Sequence, residues 1–344
     1  MTGADVTGAG ASGGAGPAPI GVVANPASGR DVRRLLAAAG TSTPEEKASI
    51  VRRVLLGAAD VGARRFVFLP ESAGIVRRAT DTLAPEIERE VLSFERHLDE
   101  RDSTRAAELL RDAGCAVVVV LGGDGTNRAV AKGWPDAPLL PLSTGTNNAF
   151  PEFVEATVAG VAAGLVSTGR VRLDEVAERA KVVVVEIDGE APDLALVDLV
   201  ATTDPWVGSM ELFDPERLVA AVLTRAEPAS VGFSAVGGLL HPTRPADERG
   251  LVVWFAPPDV APRRLRAPTA PGHHAELGIA SVDPLGLGDE VRIAGPCVLA
   301  FDGERRRAVP DGAHARVRVE RTGPWVIRPT LALELAAARG TFLA

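Results

Sequence analysis

Cysteine is scarce in this chain of 344 residues: there are two, Cys115 and Cys297. Two cysteines so far apart make no disulfide framework, and buried free thiols in a reducing compartment are the simpler expectation. No long lysine or arginine block occurs, and the formal charge is −8. A nucleic-acid partner normally needs a basic face, so none is expected, and interspersed charges of both signs read as a solvated surface. No apolar run approaches the roughly 18–20 residues that span a bilayer, so no membrane insertion is expected. The opening stretch MTGADVTGAGASGGAGPAP has neither the basic nor the apolar region of a signal peptide. Its Gly/Ala/Ser/Pro content predicts a disordered lead-in over residues 1–18, because it buries too little surface to offset ordering entropy.

Familiar nucleotide motifs are also missing. Arg128 stands where G-x-G-x-x-G would place its third glycine after Gly123 and Gly125. No P-loop, kinase H-R-D or H-E-x-x-H pattern occurs, and a Rossmann dehydrogenase and a P-loop enzyme are both disfavoured.

What is present alternates. IGVVANP (20–26), RRFVFLP (64–70), a run of four valines (117–120) and APLLPLS (137–143) read as strands. Between them, Thr43, Pro44 and Glu46 form the N-cap, first-turn proline and capping box of a helix. That helix places Ile50, Val51, Val54, Leu55 and Ala58 on one face. STRAAELLRDAG (103–114) and residues 152–166 also read as helices. Strands separated by helices predict an α/β fold with a doubly wound parallel sheet. After about residue 170, KVVVVEIDGE, LALVDLVAT, GLVVWFAPP, DEVRIAGPCVLAFDGE and HARVRVER predict a mostly β second domain. The expected division is a lead-in (1–18), an α/β nucleotide domain (19–168), a β-rich acceptor domain (169–322) and a C-terminal segment (323–344) returning to the first domain. Residues 244–276, rich in Pro, Arg and His, are expected to hold an exposed loop. His273 and His274 read there as solvated residues rather than metal ligands.

Three polar, glycine-bearing loops follow three of the early strands. ANPASGR brings Asn25, Ser28 and Gly29; GGDGT brings Gly122, Gly123, Asp124, Gly125 and Thr126; PLSTGTNNAFP brings Thr144, Gly145, Thr146, Asn147 and Asn148. In a parallel sheet such loops share the carboxyl edge, where a nucleotide is held. A glycine turn leading into a helix offers backbone N–H groups to an anion. Asp124 would repel a phosphate unless Mg²⁺ lies between them, or unless it orients and deprotonates a hydroxyl. A tight turn with Asp124 as a helix cap is the plain alternative, and the pentapeptide alone leaves both open.

NPASG, VLGGDGTNRAV and PLSTGTNNAF, in this order and spacing, resemble the NAD kinase/diacylglycerol kinase superfamily. RDSTRAAELLRDAG and STGTNNAFP bring the chain nearest to its ATP-NAD kinase-like branch. The resemblance covers about residues 20–165. It implies a nucleotide domain, a β-rich second domain, a cleft between them, and ATP with Mg²⁺ held mainly through the ATP phosphates. Asp124 matches the aspartate that works at the acceptor hydroxyl, and Gly122, Gly123, Gly125 and Thr126 match phosphate-cradling positions. Asn25 matches the nucleotide-contacting turn, with Ser28, Gly29, Thr144, Gly145, Thr146 and Asn147 joining the cofactor set and Asn148 the acceptor set. Asp198 matches one member of the pair that holds the dinucleotide, but Val197 stands where asparagine is expected. Asp302, in FDGE (301–304), resembles an acidic residue of the lipid-kinase branch, while Asp-Gly followed by a charge is ordinary hairpin-turn chemistry.

The reading is an ATP-dependent kinase with NAD as leading acceptor and NADP as product. The expected setting is the cytoplasm, and the expected state a homo-oligomer. A lipid or small-polyol kinase and a non-catalytic nucleotide-binding regulator are the alternatives.

Overall fold

A computed structural model describes residues 16–26, 42–144, 148–204, 214–303 and 305–343. Its first layer system is built on a seven-stranded sheet. Five of the strands come from the first half: β1 (Ile20–Ala24), β2 (Arg65–Phe68), β3 (Glu88–Val91), β4 (Val117–Leu121) and β5 (Pro138–Leu142). They lie in the order β3-β2-β1-β4-β5, all parallel. From the end of the chain, β18 (Trp325–Ile327) adds in parallel beside β5, and β6 (Ala177–Arg179) closes that edge antiparallel.

Helices cover both faces, as apolar strands exposed on neither side require. On one face α1 (Pro44–Asp60), α2 (Ile75–Thr80), α5 (Ala156–Ser167) and α8 (Pro329–Ala338) bury Val51, Val54, Leu55, Ile75, Ala159, Ala163 and Ala332 against Ile20, Val22, Val117 and Val119. On the other, α3 (Glu100–Asp112) and α4 (Asp124–Gly133) bury Leu110, Val130 and Ala131 against Val23, Val118 and Val120. This second cluster also takes in Val182, Leu196 and Val197, so the core runs on into the β-rich half. Thr43 caps α1, with both arms of the capping box to Glu46 formed.

After the short helix α6 (Leu173–Val176), the β-rich half is a sandwich. One sheet, antiparallel throughout, runs β12-β13-β11-β10-β9-β15-β16. Its strands are β9 (Asp198–Thr202), β10 (Leu218–Leu223), β11 (Arg249–Phe255), β12 (Arg263–Ala270), β13 (His273–Gly286), β15 (Cys297–Phe301) and β16 (Arg305–Val309). The other sheet is β14 (Glu290–Ala294), β17 (His314–Glu320), β7 (Val182–Ile187) and β8 (Asp193–Ala195). Val183, Val185, Val222, Leu299, Phe301 and Val317 fill the space between them. The helix α7 (Phe233–Leu240) covers the outer face of the larger sheet.

Several expectations are corrected. Within residues 244–276, β11 agrees with the strand read from GLVVWFAPP, but β12 and the start of β13 are strands in place of the expected exposed loop, with His273 and His274 paired with Ala270 and Pro268. LALVDLVAT is two strands in different sheets, β8 and β9, and DEVRIAGPCVLAFDGE likewise breaks into β14 and β15. The helix expected from residue 152 begins at Ala156, where Glu155 accepts from the N–H groups of Thr157 and Val158. The helix read from Ser103 begins at Glu100, because Asp99 accepts from Arg101 N–H as its cap. α2, β3 and α7 were not expected. At the amino end, Ala18 N–H donates to the Ser167 carbonyl at 3.2 Å, tying this end of the lead-in to α5. Both cysteines are buried and free, and burial pushes the Cys115 thiol up to about 12 and the Cys297 thiol up to about 11.

Candidate active site

The register of the parallel sheet brings the three polar loops together. Ala24 of β1, Leu121 of β4 and Leu142 of β5 sit side by side at the carboxyl edge. The loops continue the contact: Asn25 N–H donates to Leu121 O at 3.2 Å, and Gly122 N–H to Leu142 O at 3.4 Å. Asn25 Nδ2 donates to Thr126 Oγ1 at 2.9 Å, which ties the Asn-Pro turn to the glycine motif. Lys47, a nearly fully buried residue of α1, supports that turn by donating from Nζ to the carbonyls of Asn25 (2.9 Å) and Pro26 (3.2 Å).

The glycines are needed for space. A Cβ on Gly122 would lie 2.6 Å from Thr126 Cβ, and one on Gly123 would lie 2.8 Å from Asn148 Oδ1. Gly123 has φ −91°, open to any residue, so close approach and not backbone strain selects glycine there. Gly123 is also the N-cap of α4 and provides no capping side chain, leaving the first N–H groups of that helix for a ligand. Asn148 is held by Ser143, donating from Nδ2 to Oγ at 3.0 Å.

Asp124 is the first residue of α4, and its carboxylate turns toward the third loop. Oδ1 accepts from Phe150 N–H at 2.8 Å, and Ala149 N–H lies 3.2 Å from Oδ1 and 3.1 Å from Oδ2. Burial, together with the negative charge of Asp302, pushes Asp124 up to about 7, against the opposing effects of these two N–H groups and Arg225. Such a carboxyl group is divided between its two protonation states at neutral pH.

Asp302 sits in the turn between β15 and β16, with φ 47° followed by Gly303 at φ 77°. The turn chemistry and the acidic role read from FDGE thus coincide in one residue, but its side chain points inward. Oδ2 accepts from Leu196 N–H at 2.9 Å; Oδ1 accepts from Val197 N–H at 2.8 Å and Asp198 N–H at 3.2 Å. In return, Asp302 N–H donates to the Asp198 carbonyl at 3.0 Å. This grip breaks LALVDLV into two strands. Burial raises the Asp302 proton affinity, while the three N–H groups and Arg128 oppose the rise. Val197 is 1% exposed and packs in the core shared by the two halves.

Asn25, Gly122, Gly123, Asp124, Gly125, Thr126, Thr144 and Asn148 thus gather at one edge, with Asp302 and Asp198 approaching from the β-rich half. Ser28, Gly29, Gly145, Thr146 and Asn147 lie outside the described residues. Sequence reasoning missed Lys47, Arg128 and Arg225. Lys47 and Arg128 had a signal, a cation on the apolar face of a helix; Arg225, beyond the end of β10, had none.

A parallel nucleotide-type sheet with a glycine-rich edge, joined to a β sandwich, defines a two-domain architecture, and the comparisons with known proteins name its parts. Residues 20–171 match the ATP-NAD kinase N-terminal domain, and residues 181–322 match the acetoin catabolism protein X C-terminal domain. Acetoin catabolism protein X of Cupriavidus necator is 35% identical over 303 residues, 84% of each chain. The chain belongs to the acetoin catabolism protein X family. Among solved structures, yeast NADH kinase complexed with NADH is 13% identical with a TM-score of 0.49, covering 91% of this chain and 84% of that one.

Proposed function

We propose that the protein is an ATP-dependent kinase that transfers a phosphoryl group to a hydroxyl, with NAD as the leading acceptor and NADP as product. The observation that carries this reading is Asp124: a half-buried carboxyl group at the start of α4, fixed by two backbone N–H groups and titrating near neutral pH. A general base works best with a pKa near the operating pH. The surroundings fit ATP. The open N-terminus of α4, the Cβ-free Gly122 and Gly123, and the linked Asn25 and Thr126 would hold its phosphates. Bound ATP, with Mg²⁺ on its phosphates, would supply the transferable group and neutralise its charge. Asp124 then orients the acceptor hydroxyl and takes its proton. Phosphoryl transfer is loose, so positioning and charge carry most of the rate and the base a smaller part. In this reading Asn148 and Asp198 face the acceptor, and the protein works in the cytoplasm as a homo-oligomer.

A second reading keeps the kinase and replaces NAD by a lipid or small polyol. Val197 favours it: a core valine occupies the position of the dinucleotide-holding amide. A non-catalytic nucleotide-binding regulator is opposed by Asp124, since a pure phosphate binder gains nothing from a repelling carboxylate.

The test is to incubate purified protein with Mg·ATP and, in parallel, NAD, NADH, glycerol and diacylglycerol in mixed micelles. ADP and phosphorylated product are then followed. NADP formation supports the leading reading. Product only from glycerol or diacylglycerol moves the assignment to the second. ATP binding by calorimetry without product from any acceptor leaves the regulator.

A further inference from the structure

Arg225, a side chain of the β-rich half, reaches the loop that holds Asp124. Arg225 lies beyond the end of β10, next to the buried Thr224, whose Oγ1 donates to the Leu196 carbonyl at 2.6 Å. From there Arg225 Nη1 donates to the Ala149 carbonyl at 2.9 Å, and the guanidinium carbon stands 5.3 Å from the centroid of the Phe150 ring. Ala149 and Phe150 are the two residues whose N–H groups hold the Asp124 carboxylate. A guanidinium of one half thus grips, by carbonyl and by ring, the dipeptide that fixes the carboxylate of the other half.

A staple between halves would not need this arrangement. The Arg225 Nε is buried without a hydrogen-bond partner among the described residues. A guanidinium finds its best partner in a carboxylate met by both prongs. Here it spends its donor on a carbonyl and its face on a ring. Burying an incompletely satisfied cation is costly, so stability alone is a poor reason for it. The charged groups around it are the acidic Glu227, Asp124, Glu152 and Asp302 and one cation, Lys181. Its charge therefore lies where negative charge gathers.

We propose that Arg225 is a positioning residue for phosphoryl transfer: by holding Ala149 and Phe150 across the boundary between the halves, it aims the two N–H groups that fix Asp124. The proposal rests on the kinase reading for its catalytic consequence, but the grip itself does not. With Arg225 removed, the Ala149 carbonyl loses its partner and the Phe150 ring its cation, and the N–H pair is free to wander. A displacement of about 1 Å in a catalytic constellation costs on the order of a hundredfold in rate. Lysine would restore charge and one donor but not the flat face over Phe150.

The test compares full-length wild type, Arg225→Met and Arg225→Lys. Hydrogen exchange at the Ala149 and Phe150 amides is read first, because it needs no turnover. The Met variant should exchange there about tenfold faster or more, with β4 and β5 unchanged, as a local opening requires. ATP affinity by calorimetry should stay within about threefold, while turnover falls roughly thirtyfold or more with part of it restored by lysine. Unchanged exchange at residues 149–150 in folded Arg225→Met overturns the proposal. So does faster exchange spread evenly over β4 and β5, which marks a general loss of stability. Should the Met variant not fold, the Lys variant decides by the same two measurements, with a smaller rise expected at 149–150. A wild type without phosphoryl transfer to any acceptor removes the kinase reading alone, and exchange still decides whether Arg225 holds the dipeptide.

Discussion

Arg128 Nε lies 3.9 Å from Asp302 Oδ2, and neither side chain exposes more than 1% of its surface. Arg128 is one turn beyond Asp124 on α4, and Asp302 belongs to the β-rich half. The same guanidinium pairs with Glu100 of α3 and lies 3.7 Å from Asp193 of β8. One buried cation therefore joins the glycine-motif helix to three carboxylates on three other elements, and it balances the Asp302 carboxylate that grips residues 196–198. Lys132 and Arg307 share the charge of Asp193, at 3.0 and 3.8 Å.

Removing Arg128 should therefore destabilise the protein as a whole. Breaking a buried ion pair from one side leaves an uncompensated charge, at a cost of about 3–5 kcal/mol. Urea unfolding of Arg128→Met should show a loss of this order. The double variant Arg128→Met/Asp302→Asn should lose less than the two single variants summed, since the stranded carboxylate is gone. Losses that simply add in the double variant would show that Asp302 does not depend on Arg128.

The two candidate carboxylates should separate by what they lose. Asp124→Asn keeps the shape but accepts no proton, so turnover should fall roughly a hundredfold or more while ATP affinity changes little. Asp302→Asn turns an NH₂ group toward a backbone donor, because both Asp302 oxygens accept N–H groups. Its first effect should be a stability loss of about 1–3 kcal/mol, measured by urea unfolding. Wild-type turnover in Asp124→Asn would take that residue out of the chemistry.

Asp124 also sets a pH dependence with a definite sign. Its carboxyl group is pushed from 3.8 up to about 7 in the folded protein. The native state then binds more protons than the unfolded state between these values, so this group lowers stability as pH rises from about 4 to 7. Asp124→Asn should therefore gain stability relative to wild type from pH 5 to pH 8, read by urea unfolding at both. Wild-type turnover should rise over the same neutral range as the carboxylate ionises. A stability difference independent of pH would show that Asp124 titrates at its ordinary value.

Gly123→Val should weaken ATP binding with the fold retained. The added Cβ meets Asn148 Oδ1 at 2.8 Å and the branch stands at the open start of α4. Its effect is to push aside the Asn148 amide, not to strain the backbone, given φ −91°. Calorimetry with ATP on the folded variant checks this, and unchanged affinity would remove the phosphate cradle from Gly123.

Local chemistry made much of the first half legible. Thr43, Pro44 and Glu46 carry the start of α1 in their own side chains, and four consecutive valines declare a buried strand, because capping and apolar periodicity act over a few residues. The gathering of three loops at one edge also followed from sequence, since parallel strands place their carboxyl ends together. The tertiary structure alone decided how the two halves meet. Residues 196–198 read as part of one continuous strand until Asp302, more than a hundred residues on, takes their three N–H groups. Arg225 gave no local sign of holding Ala149, and Arg128 none of balancing Asp302, because a buried charge finds its partner through the fold and not through its neighbours in the chain. Residues 263–276 misled for a related reason: their prolines and arginines argue for a loop locally, while the pairing of β12 with β13 makes them strands.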